Sequence, residues 1–208
     1  TATEFGVFKN ALAAGGVIRG FAVPGFADAT RSQLDHLTET ARTFGAKGLV
    51  WLALQQEEGR LAARSPVAKF LSERELVSLA ERFQAGPGDL LLLVADAEPV
   101  TANVLGRLRN QVARERKLID ESIHAFCWVV DPPLFEWNEE EHRWEAMHHP
   151  FTSPRDEDIP LLDSDPGRVR AKAYDLVADG YELGTGSIRI HRRDVQNKIF
   201  AIMGYDDA

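Results

Sequence analysis

Five ionisable side chains in the last third of the sequence are the best candidates for chemistry. Two adjacent carboxylate-bearing segments and one arginine between two isoleucines indicate a pocket for a magnesium-bound nucleotide and an anion. Carboxylates supply the hard oxygen ligands that Mg²⁺ prefers, and an arginine among apolar residues favours a bidentate carboxylate or phosphate partner. The five residues are His148, His149, Asp175, Glu182 and Arg189.

The two histidines are predicted to end a strand over residues 143–148. Adjacent side chains on a strand point to opposite faces, so only one of the pair can line a given pocket. A protonated imidazole there could bind a carboxylate or a phosphate. The alternative is one packed and one solvated histidine, and the pair taken alone favours this alternative.

The carboxylates are predicted to straddle a turn at Gly180, with Asp175 on a helix and Glu182 at the start of a strand. Glu182 and Arg189 are seven residues apart, so on a regular strand they would face opposite sides. A β-bulge at the glycines of residues 184–186 would restore a common face. The alternatives are a surface role for both acids and an internal carboxylate partner for Arg189.

Other kinds of site find less support. Cys127 lies in an apolar run that predicts a buried, inert thiol, and as the only cysteine it cannot form an internal disulfide. The histidines and acids lack the spacing of a zinc site. No apolar segment is long enough to cross a membrane and no secretory signal is visible, which together with the cysteine usage predicts a cytoplasmic location.

The charge is uneven along the chain, which has 208 residues and a net charge of −8. Residues 1–117 carry a balance of +2 and residues 118–208 a balance of −10. An acidic segment does not attract a phosphate backbone, so if the protein binds RNA, most of the contacts must come from other segments.

Residues 1–116 are predicted to form a compact α/β unit in the order strand, helix, strand, helix, strand, helix. Thr30 with Gln33 and Ser72 with Glu75 have the form of capping boxes that begin helices. Buried strands over 48–54 and 90–94, a turn over 86–89 and a helix over 100–115 complete this prediction.

A second unit is predicted from residue 118 onward. It contains a strand over 125–130, a hairpin formed by 134–137 and 143–148, and a polar, mobile loop over 153–165. Asp165 and Pro166 are predicted to begin a helix that ends at Gly180. A strand over 181–191 and a last helix over 194–203 follow.

Ten segments of the chain, taken in order, resemble bacterial aspartyl-tRNA synthetases. In the second unit they are 126–136 (FCWVVDPPLFE), 147–154 (MHHPFTSP), 173–177 (AYDLV), 180–184 (GYELG) and 186–191 (GSIRIH). The first unit resembles the GAD domain inserted in the catalytic domain of these enzymes, through 4–8 (EFGVF), 24–25 (PG), 45–49 (GAKGL), 65–69 (SPVAK) and 86–89 (GPGD). The resemblance covers essentially the whole chain.

The resemblance implies an α+β fold: a GAD-type α/β insertion domain over residues 1–116, then part of a class II catalytic domain with an antiparallel sheet over residues 117–208. It implies a cytoplasmic, homodimeric aspartate–tRNA ligase that activates L-aspartate with ATP and Mg²⁺ and transfers it to tRNA. By position, His148 contacts aspartate with His149 beside it, and Arg189 grips the side-chain carboxylate of the substrate. Glu182 contacts ATP and Mg²⁺, and Asp175 is a second metal contact.

Two features depart from the family pattern. Thr185 stands where a third glycine is usual. Both chain ends resemble cut points, and the resemblance implies that the family's motifs 1, 2 and 3 and its anticodon-binding barrel lie outside these residues, so the isolated chain is expected to be inactive. The alternatives are a non-catalytic GAD-containing module that binds tRNA or a partner, and an unrelated Mg²⁺-dependent enzyme that handles phosphates.

Overall fold

The computed structural model describes residues 5–205 of the chain. Its contacts divide the chain into two compact units, Thr1–Asp120 and Glu121–Ala208. Sheets in both units are antiparallel and helices accompany them, which confirms the predicted α+β class. Within the described residues no helix is long and apolar enough to cross a membrane.

The first unit is a four-stranded antiparallel sheet with helices on both faces. The strand order is β1–β4–β2–β3, so the buried strand β4 lies between two neighbours. Alternate residues of β4 face the two helical layers, and this explains its uninterrupted run of leucines. The elements are α1 (Gly6–Ala13), β1 (Val17–Val23), α2 (Arg31–Thr43), β2 (Val50–Glu57), β3 (Arg60–Arg64), α3 (Glu73–Phe83), β4 (Leu90–Asp96) and α4 (Glu98–Glu115).

Two capping boxes fix where helices of this unit begin, as predicted. The Gln33 backbone N–H donates to the hydroxyl of Thr30, and the Thr30 N–H donates to the Gln33 side chain at 2.8 Å. Ser72 and Glu75 form the same reciprocal pair before α3. The predicted element order omitted α1 and β3, which are both short and carry few buried side chains.

In its described residues, 121–205, the second unit has a three-stranded sheet, a hairpin and one α-helix. Its sheet has the order β5–β8–β9, and all neighbouring strands are antiparallel. A core of nine buried apolar residues joins the hairpin to the helix and to one end of β8. The elements are β5 (Phe126–Val130), β6 (Phe135–Asn138), β7 (Arg143–Ala146), β8 (Ala173–Ala178), β9 (Tyr181–Ser187) and α5 (Arg193–Ile202).

Three predictions for this unit are wrong. The helix predicted from Asp165 to Gly180 is a single 3₁₀ turn, Pro166–Arg168, followed by strand β8, so Asp175 lies on a strand. The predicted loop over 153–165 contains a 3₁₀ helix, Asp156–Asp163, whose Leu162 is part of the core. Cys127 is exposed, because β5 is exposed along its whole length.

The buried carboxylate of Asp158 holds the 3₁₀ helix Asp156–Asp163 in place. Asp158 is only 5% exposed. Its carboxylate accepts three hydrogen bonds from Arg170, from the backbone N–H at 3.0 Å, from Nε at 2.8 Å and from an Nη at 3.0 Å. The hydrogen bonds from the Arg170 side chain lower the pKa of Asp158 to about 2.

Replacing Asp158 with asparagine should therefore lower the free energy of unfolding of the second unit by about 2 kcal/mol at pH 7. Arg170 loses its buried carboxylate partner, keeps only the exposed ion pair with Glu157 at 3.2 Å and stays partly solvated. The native pKa lies below that of an unfolded aspartate, so the advantage of the natural residue is full above about pH 4 and is lost as the pH falls through about 2. Urea titrations followed by tryptophan fluorescence check this, because three of the four tryptophans, Trp128, Trp137 and Trp144, lie in this unit.

Asp163→Asn is the matched control, since Asp163 forms an ion pair with Lys198 in which both side chains are well exposed. Its effect should be within about 0.5 kcal/mol. A stability difference between Asp158→Asn and the natural chain that stays constant down to pH 2 would contradict the assigned role.

Candidate functional site

The hairpin of β8 and β9 brings the two predicted metal contacts to one sheet face. In the strand register Asp175 lies opposite Thr185, and Val177 lies opposite Glu182. Asp175 and Val177 are two residues apart on β8, and residues directly opposite share a face, so Asp175 and Glu182 point to the same side. The register requires one extra residue on β9, Leu183. The bulge therefore lies one residue before the glycine segment at which it was predicted.

Arg189 lies just beyond the end of β9, in backbone that continues the same extended path. The Ile188 N–H donates to the Lys172 carbonyl at 2.9 Å, and the Ile190 N–H donates to the Phe151 carbonyl at 2.9 Å. Arg189 itself forms an antiparallel bridge with Thr152. Because side chains alternate along extended backbone, Arg189 follows Thr185 on the same face as the carboxylates. The extra residue at Leu183 therefore brings Glu182 and Arg189 to one face, whereas their seven-residue spacing on a regular strand would place them on opposite faces.

The two histidines lie on a turn after β7 and not on the strand itself, which ends at Ala146. The Thr152 N–H donates to the His149 carbonyl at 3.0 Å, and the bridge from Thr152 to Arg189 brings this turn beside the arginine's backbone. The His149 Nδ1 accepts a hydrogen bond from the Phe151 N–H at 3.1 Å. That contact leaves Nε2 of His149 as its free ring nitrogen, and within residues 5–205 neither ring nitrogen of His148 forms a hydrogen bond.

Helix α5 supports this histidine turn. The side-chain amide of Gln196 donates to the Pro150 carbonyl at 3.2 Å. The ring of Phe200 packs edge-on against Phe151 with centroids 5.7 Å apart. Val195 and Ile199 on the same helix are buried, so the turn is tied to the apolar core of the unit.

The charged side chains of this site have no internal partners among the residues that the structure describes. Hydrogen bonds and ion pairs within residues 5–205 do not involve the side chains of His148, Asp175, Glu182 or Arg189, although Asp158, Asp131 and Lys172 in the same unit are all paired. The alternative in which Arg189 pairs with an internal carboxylate is therefore wrong for the described chain. Asp175 is half-buried and the other three side chains are exposed, so these unpaired groups are free to bind a ligand.

The arrangement suits a cation only if the ligand or solvent completes the coordination shell. In the described part of the chain no group of three or more His, Cys, Asp or Glu side chains is arranged to hold a metal ion. Asp175 and Glu182 are diagonal neighbours in the register, which places Cα atoms about 7–8 Å apart in antiparallel sheets. A divalent cation bridging them would complete its shell with phosphate oxygens and water, as Mg²⁺ commonly does.

Two features of the sheet escaped sequence reasoning. Cys127 lies opposite Val177, which places its thiol on the face that carries Glu182. The opposite face is lined by exposed aromatic and apolar side chains, and Tyr174 lies over Gly186, where a Cβ would be 2.6 Å from its ring. These exposed residues are Phe126, Trp128, Val130, Tyr174 and Tyr181. An alternating apolar pattern predicts a strand but does not reveal which face stays uncovered.

The chain is similar to one known domain family and to several known ligases. Residues 8–105, which make up most of the first unit, match the model of the GAD domain family. Over nearly its whole length the chain is also similar to ligases named aspartate–tRNA(Asp/Asn) ligase. It is 53% identical over 205 residues to the protein of Caldanaerobacter subterraneus, 54% over 201 residues to that of Moorella thermoacetica and 53% over 205 residues to that of Rubrobacter xylanophilus.

The chain covers 97–99% of its own length in these comparisons but only 33–34% of the length of each relative. The chain therefore spans about a third of the length of each of these relatives. The resemblance to bacterial aspartyl-tRNA synthetases predicted from the sequence motifs is confirmed.

Proposed function

We propose that the protein to which this chain belongs is an aspartate–tRNA ligase, which activates L-aspartate with ATP and transfers the aspartyl group to tRNA. The observation that carries the proposal is the gathering of Asp175, Glu182 and Arg189, which have no side-chain partners within residues 5–205, on one face of the β5–β8–β9 sheet. The names of the relatives support the same reaction. We further propose that residues 117–208 are part of a class II catalytic domain.

Arg189 binds the side-chain carboxylate of aspartate in this proposal. A guanidinium presents two parallel N–H donors that match a carboxylate, and no acid within residues 5–205 competes for them. Asparagine would leave the charge of Arg189 uncompensated and would aim an amide N–H₂ at donors, so the same contact excludes it. His148 binds aspartate from the neighbouring turn, and the Nε2 of His149 adds a second donor or acceptor beside it.

Asp175 and Glu182 bind Mg²⁺ together with the phosphates of ATP. A magnesium ion supplies positive charge that offsets the phosphate charge during substitution at the α-phosphate. An oxygen of the α-carboxylate of aspartate forms a bond to the α-phosphorus, and the bond to pyrophosphate breaks. A terminal ribose hydroxyl of tRNA then attacks the aspartyl carbonyl, and AMP leaves. Glu182 is the contact shared by metal and ATP, and Asp175 is the second carboxylate of the metal site.

The remaining features of the proposal come from the resemblance to bacterial aspartyl-tRNA synthetases. The protein binds tRNA, acts in the cytoplasm and forms a homodimer in the proposal. Its relatives are named for both tRNAAsp and tRNAAsn, so both tRNAs are the substrates to test. The acidic second unit, with a balance of −10 over residues 118–208, offers little attraction for a phosphate backbone, so other parts of the protein supply most of the tRNA contacts.

ATP–pyrophosphate exchange dependent on L-aspartate tests the proposal. The full-length protein should catalyse it, whereas the 208-residue chain alone should show none, because in this proposal other segments complete the site. A full-length protein that binds tRNA but shows no exchange would favour the non-catalytic GAD-containing module. Magnesium-dependent ATP turnover by the isolated chain without aspartate would favour an unrelated phosphate-handling enzyme.

A further inference from the structure

Thr185 occupies a position on β9 where its side chain joins the two carboxylates of the site. It lies directly opposite Asp175 in the strand register. Residues directly opposite in antiparallel strands have Cβ atoms about 4.5–5.5 Å apart and share a face. Since the bulge at Leu183 also turns Glu182 to this face, Thr185 follows both acids in sequence and shares their face of the sheet.

The hydroxyl of Thr185 is free for a ligand. In residues 5–205 it forms no hydrogen bond to another group, and the side chain is exposed. By comparison, Thr152 and Ser187 nearby have hydroxyls 3.3 Å apart and Thr152 is buried, so their hydroxyls have each other as partners. An exposed threonine also suits a strand for its β-branched shape alone, so shape and hydroxyl chemistry must be separated by experiment.

A hydroxyl oxygen is a recognised ligand for Mg²⁺ in nucleotide sites, where serine or threonine contributes to the coordination shell beside phosphate oxygens. Magnesium requires near-octahedral coordination at about 2.0–2.1 Å, so two carboxylates leave positions for further oxygen donors. β-Branching restricts the χ1 angle of Thr185, which limits the entropy lost when its hydroxyl is fixed on an ion.

We propose that the hydroxyl of Thr185 is a third protein oxygen donor to the ATP-bound magnesium ion, beside Asp175 and Glu182. This inference rests on the proposed function, because it assumes that the two carboxylates hold magnesium with ATP. It assigns to this chain a metal contact at a position where the family pattern has a glycine, which carries no side-chain oxygen.

The experiment measures ATP binding by the full-length protein without aspartate, by equilibrium dialysis with labelled ATP over a range of free Mg²⁺ concentrations. Thr185→Val preserves volume and β-branching and removes only the hydroxyl. The Mg²⁺ concentration for half-maximal ATP binding should rise by about tenfold in Thr185→Val, and Thr185→Ser should restore it to within about twofold of the natural protein. Circular dichroism spectra verify that both variants keep the native fold.

The outcomes separate the two layers of the proposal, with Glu182→Gln as the reference variant. A raised Mg²⁺ requirement in both Glu182→Gln and Thr185→Val, with rescue by serine, supports the hydroxyl ligand. If Glu182→Gln raises the requirement and Thr185→Val matches the natural protein, the Thr185 inference is overturned and the proposed metal site stands. If neither variant changes the Mg²⁺ dependence, the metal site of the proposed function fails as well.

Discussion

Arg189→Lys in the full-length protein should lower kcat/KM for L-aspartate in ATP–pyrophosphate exchange by about 10²- to 10³-fold. Lysine keeps the positive charge, so simple attraction for aspartate would survive the change. What it loses is the planar pair of N–H donors that binds a carboxylate in two places. The loss should appear in the steps that involve aspartate, while KM for ATP stays within about threefold, since the arginine contacts no part of the nucleotide in this proposal.

Arg168→Lys is the matched control for this change. Arg168 is an exposed arginine of the same unit, on the 3₁₀ turn Pro166–Arg168, and has no side-chain partner in the described chain. Its replacement should leave exchange unchanged. Equal activity of Arg189→Lys and the natural protein at subsaturating aspartate would show that Arg189 does not bind the substrate carboxylate.

The same contact predicts how selectivity should change. In the natural protein, asparagine meets a guanidinium that needs a charged partner, so its exchange rate should be very low. Lysine lacks the planar pair of N–H donors, so in Arg189→Lys the ratio of aspartate to asparagine activity should fall along with the absolute rate. A drop in rate with an unchanged ratio would instead indicate that Arg189 stabilises the hairpin and does not select the substrate.

Local signals in the sequence were sufficient where short-range contacts decide the structure. The capping boxes at Thr30 and Ser72 are satisfied within four residues, so the starts of α2 and α3 could be predicted. The Leu90–Val94 run was also predicted, because an uninterrupted apolar strand needs cover on both faces. Asp165 and Pro166 do begin a helical turn, but their signal extends over only three residues.

Long-range pairing decided the parts that were mistaken. Val169, Ala173, Leu176 and Val177 fit helical spacing, but residues 173–178 pair with β5 on one side and β9 on the other. The polar segment before them, residues 153–165, resembles a loop in local sequence. The contact that fixes it joins Asp158 to Arg170, twelve residues further along the chain, and local sequence does not indicate that contact. Burial of Cys127 was expected from its apolar neighbours, and an apolar run alone does not show whether any element covers it.

The candidate site could be predicted in composition but not in geometry. His148, Asp175, Glu182 and Arg189 were recognisable from ordered motifs, yet the common face of Asp175, Glu182 and Arg189 depends on a single extra residue in β9. Glycines at 184 and 186 indicated that a bulge was plausible, whereas only strand pairing locates it at Leu183. The position of Thr185 beside Asp175 follows from the same register and has no signal of its own in the sequence.

Glu182→Gln should produce the opposite kinetic pattern from Arg189→Lys. Removing one carboxylate while keeping the shape of the side chain should lower kcat/KM for ATP by about a hundredfold, and it should raise the Mg²⁺ requirement by about tenfold or more. KM for aspartate should change little, because the amide still fills the same space and Arg189 is untouched. Initial-rate exchange assays over grids of ATP, aspartate and free Mg²⁺ give all three parameters.

Glu139→Gln is the matched control, since it removes the same charge from an exposed position in the turn between β6 and β7. If net charge alone governed ATP binding, both variants would gain affinity for an anionic nucleotide, as each removes one negative charge. If Glu182 binds the metal ion, Glu182→Gln should instead weaken ATP binding and Glu139→Gln should not, because the Glu182 carboxylate attracts the cation that in turn binds the phosphates. Improved or unchanged ATP binding in Glu182→Gln would therefore remove Glu182 from the metal site. A double variant with Glu182→Gln and Arg189→Lys tests whether the two contacts are coupled. If the losses of the single variants multiply, the nucleotide and aspartate contacts act independently across the same sheet face.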